Sequence, residues 1–384
     1  MESDKPNKHI KKTIGYWVAQ EQYPMQDLLK FVIEAEKSGF STTMTSDHFH
    51  PWWHNGGYSN FAWIWIAVAA NMTKKMQFIT GVTAPTYRYH PAIIAQAFAS
   101  LDTLFPNRIG LGIGTGEAMN EVPLGYDWPS PKFRLNKTID AIKVIKNLWK
   151  IDELGHKFID KKEVNNNNYD QKEHSNYHSS HSESSTTNTK KQNQFLTYNG
   201  DYFHIRNAKL YTPPLTNIPI YMAGSGVKSI KAAAKYTEGL ITVLSPEETR
   251  KKNIFQIFED AIKKEGKNPN QMEKIVEYKV SYSNDYDKAF QSATFWRSTL
   301  IENIFNLSIE NPQKLQQKAI KEVSDETIKK SIQITTSVED IIKSIEEYFK
   351  VGYTRVYIHS TSPNEIEFVR EIGKKVLSYF YTKI

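Results

Sequence analysis

Short apolar runs alternate with longer stretches in which apolar residues recur every three or four positions, and the alternation repeats along most of the chain. Thr13–Val18 is rich in β-formers, and Met25–Lys37 follows with Leu28, Leu29, Val32, Ile33 and Ala35 at helical spacing. One β–α unit is predicted there. Thr42–Thr45, 76–83 and 108–113 predict further strands, with helices over 61–70, Pro91–Leu104 and 135–149. The rhythm resumes with strands at 218–223, 239–243, 275–282 and 355–359 and helices at 228–236, 249–264 and 286–294. About eight such alternations predict an α/β protein, a (β/α)8 TIM barrel in preference to a doubly wound sheet, with its active site at the C-terminal ends of the strands.

Two stretches break the rhythm. Residues 161–194 are rich in Asn, Ser, His and Lys and carry no periodicity, which predicts a disordered polar insert. His174, His178 and His181 within it read as solvated residues of that insert, with a metal tract as the alternative. After it, Asn199-Gly200 between two β-rich runs signals a hairpin. Residues 300–334 read as Lys/Glu/Gln-rich helix or lid-like sequence. The division expected is a basic flexible tail at 1–12 and one barrel domain over 13–384, interrupted by the insert.

Composition narrows the chemistry. Hydrophobic residues make up 39% of the 384, enough for a sizeable core, and cysteine is absent, which excludes disulfides, thiol nucleophiles and Cys-based metal or iron–sulfur sites. No run of about 18 apolar residues occurs, and the first residues lack an apolar signal core, so no membrane partner and a cytoplasmic location are expected. The formal charge of +7 is scattered among acids, not gathered in a stripe, which argues against nucleic acid and leaves an anionic small molecule open.

The densest chemistry follows the second strand: Thr45-Ser46-Asp47-His48-Phe49-His50-Pro51-Trp52-Trp53-His54 sets a carboxylate, three imidazoles and two indoles on one loop. Three other clusters fall at strand ends: 81–86, Gly112-Ile113-Gly114-Thr115-Gly116-Glu117-Ala118-Met119-Asn120, and Ala223-Gly224-Ser225-Gly226. The glycines of the second let backbone press on a flat ligand or make a tight turn. It is no dinucleotide fingerprint, since Glu117 stands where the last glycine would be. Gly224-Ser225-Gly226 before a helix has the makings of an anion cradle, or is an ordinary turn. His48 and Glu117 facing one pocket would divide acid and base duties, although His48 alone would equally serve a structural hydrogen bond. No metal is expected, because His48, His50 and His54 fit no zinc spacing.

Taken together, Ser46-Asp47-His48-Phe49-His50-Pro51-Trp52, Arg88-Tyr89-His90-Pro91-Ala92, Pro106-Asn107-Arg108 and Gly114-Thr115-Gly116-Glu117-Ala118-Met119-Asn120-Glu121 resemble the coenzyme F420-dependent glucose-6-phosphate dehydrogenase family, within the luciferase-like barrels. The resemblance runs over 14–149 and again from Gly200 onward. It implies a homodimer binding the deazaflavin F420, whose tail is anionic. It also implies His48, Glu117 and Trp52 as catalytic residues. Asp47, Val82, Ala84, Thr115, Gly116 and Asn120 would contact the cofactor, with Ser225, Gly226, Lys228 and Ser229 at its tail. A non-proline cis peptide is implied at Gly81-Val82.

Glu21 resembles a pocket acid of the family, and Lys279 a retained substrate contact. The threonine and lysine that hold glucose 6-phosphate are replaced by Val243 and Pro246, and the matching arginine falls near Thr294, close to Arg297. Ala84 and Ser225 also depart from the family pattern. The spellings around His48 and Glu117 are nearer to a sister branch, the deazaflavin-dependent secondary alcohol dehydrogenases. The expectation is a reversible F420-dependent dehydrogenase acting on a secondary alcohol or a sugar phosphate. Its rivals are a methylene-tetrahydromethanopterin reductase, an FMN-dependent luciferase-like monooxygenase, and a cofactor-binding protein without catalysis.

Overall fold

Strands buried on both faces need cover from both sides, and nearly every residue of Thr13–Val18, Thr42–Thr45, Ile109–Ile113 and Gly239–Thr242 is buried. A computed structural model describes residues 10–150 and 195–382. In it β1 (Thr13–Val18), β2 (Thr42–Thr45), β3 (Gln77–Thr80) and β4 (Ile109–Ile113) lie side by side and parallel. An antiparallel hairpin, β5 (Leu196–Asn199) and β6 (His204–Ala208), precedes β7 (Ile220–Ala223), β8 (Gly239–Thr242) and β9 (Glu273–Tyr282). β10 (Gln333–Thr335) pairs with the far end of β9, and β11 (Arg355–Ser360) lies between β9 and β1. Pairing of β9 with β8 closes an eight-stranded parallel barrel. The sequence expectation holds in architecture.

Helices α1 (Met25–Lys37), α2 (Ala62–Met72), α3 (Pro91–Leu104), the short α4 (Ala118–Glu121) and α5 (Pro131–Lys150) serve the first half. The second half has α6 (Val227–Tyr236), α7 (Pro246–Lys251), α8 (Ile254–Lys264), α9 (Tyr286–Ala293), α10 (Pro312–Glu322), α11 (Asp325–Ser331), α12 (Val338–Val351) and α13 (Glu365–Ile372). One apolar cluster joins the outward strand residues, such as Ile14, Tyr16 and Val18, to the helices. A second fills the barrel with Trp17, Met44, Ile79, Tyr221, Ile241 and Tyr357, and continues upward into Trp52, Trp296, Leu315 and Ile328. Residues 300–334 thus sit on the barrel mouth. The segment contains the helix expected of its composition, in α10 and α11, and adds a strand that its composition did not signal.

Several element boundaries differ from expectation. The third strand stops at Thr80, the cis Gly81-Val82 peptide follows, and Thr83 bridges to Ile113. The helix expected at 249–264 starts earlier, where Ser245 and Glu248 cap each other around Pro246, and breaks at Asn253, whose φ is 50°. Helices α12 and α13 went unpredicted, although Asn364 accepts from the Glu367 N–H at the start of α13. The insert, with His174, His178 and His181, lies outside the described residues. So does most of the basic tail. Among the described residues no helix is long and apolar enough to cross a membrane.

Behind the barrel wall, Glu365 accepts from the Tyr16 hydroxyl at 2.6 Å, and burial pushes its carboxyl up to about 7 against the pull of Tyr16 and Ser360. Between about pH 4.5 and 7 the folded chain keeps a proton that the unfolded chain releases, so this residue's contribution is complete below 4.5 and is lost as pH rises through 7. A shift of that size amounts to about 3 kcal/mol. Glu365→Gln is expected to raise the melting temperature at pH 8 and to flatten its fall between pH 5 and 7. A variant whose pH profile matches the parent's would refute the assignment.

Candidate functional site

The loop after β2 is held from below before it presents anything. Ser46, Asp47 and His48 are all buried. Arg88 donates to the Asp47 and His48 carbonyls at 3.0 and 3.2 Å and pairs with the Asp47 carboxylate at 3.1 Å. The same carboxylate accepts from Tyr89 at 3.1 Å and Thr83 at 2.8 Å. Asp47 therefore fixes the loop and touches the site through these partners. Arg88 is kept in place by Glu121, which accepts the Tyr87 and Arg88 N–H groups at 3.0 and 2.7 Å and which burial raises to about 7.

From the other side comes the turn after β4. Gly116 takes a φ of 80°, which a side chain would strain, and there a Cβ would stand 3.0 Å from Glu121 Oε1. The turn delivers Glu117 and α4, on which Asn120 is buried. The Asn120 amide can be oriented only one way. Its Oδ1 accepts from the Phe49 and His50 N–H groups at 2.7 and 3.2 Å, so Nδ2 faces Glu117 Oε2 at 2.9 Å and His48 Nδ1 at 3.4 Å. His48 and Glu117 are thus brought together on one amide.

A donor facing Nδ1 assigns the His48 proton to Nε2. That nitrogen lies 3.4 Å from Glu21 Oε1, and Ser46 donates to Glu21 Oε2 at 2.5 Å. The Trp52 ring sits 5.5 Å from the His48 ring, with Phe305 edge-on to it at 6.1 Å. A cavity of about 990 Å³ opens above. Of the residues singled out from sequence, Glu21, His48, Trp52 and Glu117 line it on one side, and Val82, Val243, Pro246 and Lys279 line it elsewhere. Asn120 lies one hydrogen bond behind this wall.

The remaining candidates are placed around the cavity. Ala84 and Gly116 are buried beside the β3 and β4 ends, and the Thr115 carbonyl accepts from Thr86 at 2.9 Å. Ser225, Gly226 and Lys228 are exposed at the start of α6, just beyond the cavity residue Ala223, while Ser229 accepts from the Gly226 N–H at 3.3 Å. His50 approaches the Glu310 carbonyl at 3.0 Å and His54 is exposed, so the loop histidines do not converge. Among the described residues no group could hold a metal ion. Sequence reasoning missed Trp17, Glu277, Trp296 and His359, which also line the cavity. The signal available was two-residue spacing: Glu277 and Lys279 share one strand face.

A cavity at the C-terminal mouth of an eight-stranded parallel barrel defines the class, and the Luciferase-like monooxygenase family model matches residues 10–355. The chain belongs to that family. Within it, the chain is 29% identical over 364 residues to an F420-dependent glucose-6-phosphate dehydrogenase of Microbacterium testaceum, covering 94% of this chain and 96% of the relative. It is 34% identical to a solved F420-dependent secondary alcohol dehydrogenase in complex with an F420-acetone adduct, with a TM-score of 0.80 and coverage of 95% and 98%. A coenzyme F420-dependent tetrahydromethanopterin reductase from Methanopyrus kandleri shares the fold at 18% identity, with a TM-score of 0.69 and coverage of 96% and 99%.

The Asn120 arrangement has a direct spectroscopic consequence. Imidazole nitrogen shifts of the free protein are expected to report His48 as the Nε2–H tautomer. Asn120→Asp replaces the donor with an acceptor and is expected to move the His48 proton to Nδ1. A proton found on Nδ1 of the parent would overturn this orientation of the amide.

Proposed function

We propose that this protein is a coenzyme F420-dependent dehydrogenase that interconverts a secondary alcohol and its ketone, working in the cytoplasm as a homodimer. The observation that carries the reading is the shared Asn120 amide, which sets the His48 imidazole and the Glu117 carboxylate at one edge of the cavity. Val243 and Pro246 bring no charge to the opposite wall, and the one lysine there that is not exposed, Lys279, is already paired with Glu277. An uncharged alcohol suits such a wall better than a sugar phosphate.

The residues present suit a flat ring with an anionic tail. Gly81, Val82 and Ala223 form a side-chain-poor stretch of the cavity wall. A Cβ on Gly81 would lie 2.7 Å from the Trp17 ring, so the backbone there lies directly on the indole. Past Ala223, the exposed start of α6 offers backbone N–H groups without helical acceptors, next to Lys228. The deazaflavin supplies the two-electron acceptor at its C5.

Everything else is the work of the chain's own groups. The His48 Nε2–H donates to the carbinol oxygen, where negative charge develops as the C–H bond breaks, and Glu117 accepts the hydroxyl proton. Asn120 keeps both groups aimed. Trp52 covers the reacting centre and limits water there.

The α2 surface bears on assembly. Phe61, Ile64, Val68 and Met72 follow one another along its outer side and are between 41% and 59% exposed, an apolar face that a second copy would cover.

Mixed with oxidised F420, the protein is expected to bleach deazaflavin absorbance with 2-propanol and to leave it unchanged with glucose 6-phosphate. Binding of FMN in place of F420 would count for the monooxygenase reading, and F420 binding without turnover of any alcohol for a non-catalytic holder. Glu117→Gln is expected to lower kcat by roughly 10²- to 10⁴-fold with F420 binding retained. An unchanged kcat would remove Glu117 from the mechanism. Ile64→Glu with Val68→Glu is expected to convert the dimer to a monomer in sedimentation equilibrium, and a parent protein already monomeric would refute the dimer.

A further inference from the structure

Glu277 and Lys279 lie two residues apart on β9 and share its inward face, and Lys279 is in register with His359 on β11. Their functional groups close on one another. Glu277 Oε1 is 2.6 Å from His359 Nδ1 and 2.5 Å from Lys279 Nζ, and all three residues line the cavity that holds Glu21, His48 and Glu117. Burial alone would raise Glu277, but the Lys279 ammonium and the His359 N–H pull its carboxyl down to about 2. It is therefore an anion at any working pH.

A carboxylate only accepts, so His359 carries its proton on Nδ1 and keeps a lone pair on Nε2. The ring cannot turn away. It stacks on Trp17 at 5.5 Å with a 10° tilt and meets Trp296 edge-on at 4.3 Å. His359 is only 1% exposed, and its Nε2 has no hydrogen-bond partner among the described residues. Leaving such an acceptor unpaired is unfavourable, and a ligand that brings an O–H or N–H relieves it. His48, with its proton on Nε2, offers the opposite: a donor. The cavity therefore presents one imidazole N–H and one imidazole lone pair.

We propose that Glu277, Lys279 and His359 form a second substrate subsite, which takes an uncharged hydroxyl or amine N–H beside the reacting carbinol and rejects anions. This rests on the reading of the cavity as that of an alcohol dehydrogenase, and it narrows the substrate to alcohols with a second hydrogen-bond donor, a vicinal diol being the simplest. Rejection follows from charge. Of the cavity's lysines, Lys329, Lys330 and Lys343 are exposed, and the one set deeper, Lys279, is already paired with Glu277, while Glu21 and Glu277 are nearly buried carboxyls. Selection follows from the tautomer, since a phosphate or carboxylate oxygen would meet a lone pair at Nε2.

Calorimetry on the full chain without cofactor tests the first half. The parent is expected to bind inorganic phosphate and glucose 6-phosphate weakly, and Glu277→Gln, which keeps an acceptor for Lys279 and His359 while removing the charge, roughly tenfold or more tightly. Equal affinities in the two proteins would overturn anion rejection. The second half is read as the ratio of kcat/KM for 1,2-propanediol to that for 2-propanol. In the parent the diol is expected to lead by roughly tenfold, and in His359→Phe, which keeps a ring against Trp17 and Trp296, the ratio is expected to fall to about one. A ratio that His359→Phe does not change would overturn the subsite. A protein that reduces F420 with no alcohol at all would sink the dehydrogenase reading instead, while phosphate binding would still decide for or against anion rejection.

Discussion

The side-chain amide of Asn120 joins the two loops on which the proposed chemistry depends. Its oxygen is committed to two backbone N–H groups of the His48 loop, and its nitrogen to Glu117 and to the His48 ring. The orientation of an amide is normally free to flip; here two backbone donors prevent it. One side chain thus sets the relative position of the proposed acid and base and the tautomer of one of them. The loop it grips is independently clamped by Arg88 and Asp47. Two separate anchors on one short loop give the small positional tolerance that a reacting geometry demands.

The buried carboxyls show how little residue type alone decides. Glu365 and Glu121 sit where burial outweighs their hydrogen bonds, and both are pushed up to about 7. Glu277 is as deeply placed, yet an ammonium and an imidazole N–H on the same oxygen bring it down to about 2. A directly paired ammonium, which Glu277 has and the other two lack, separates the two behaviours, not depth. The consequence for the cavity is an anion on the β9 wall that is permanently charged and permanently paired. Lys279, which the sequence offers as a free cation for a substrate phosphate, is thereby neutralised.

Much of this architecture can be read along the chain, because parallel strands covered on both faces produce continuous apolar runs and the helices between them carry a regular stripe. Met25–Lys37 and Pro91–Leu104 match their expected limits for that reason. The failures are physical too. The break at Asn253 turns on one residue in a left-handed conformation, which does not alter hydrophobic periodicity. At the site, the candidates His48, Trp52 and Glu117, which line the cavity, could be picked out from their density on predicted loops. Glu277 and His359 were not, since each lies within a strand 82 residues from the other, and their hydrogen bond exists only once the barrel brings β9 beside β11.

A shared barrel does not select a reaction, so what distinguishes this chain within its family must lie in the wall residues. The half of the cavity built by the loops after β2 and β4 carries the His48 imidazole and the Glu117 carboxylate, the proposed proton-moving groups. The half built by β8, β9 and β11 carries Val243, an ion pair that cancels Lys279, and a lone pair on His359. None of those features stabilises a developing charge on the carbinol oxygen, and each changes what the remainder of a substrate must offer. On the proposed reading, catalysis and selectivity fall on opposite sides of one barrel mouth, so that substitutions in the second half would alter the substrate while Asn120, His48 and Glu117 stay as they are.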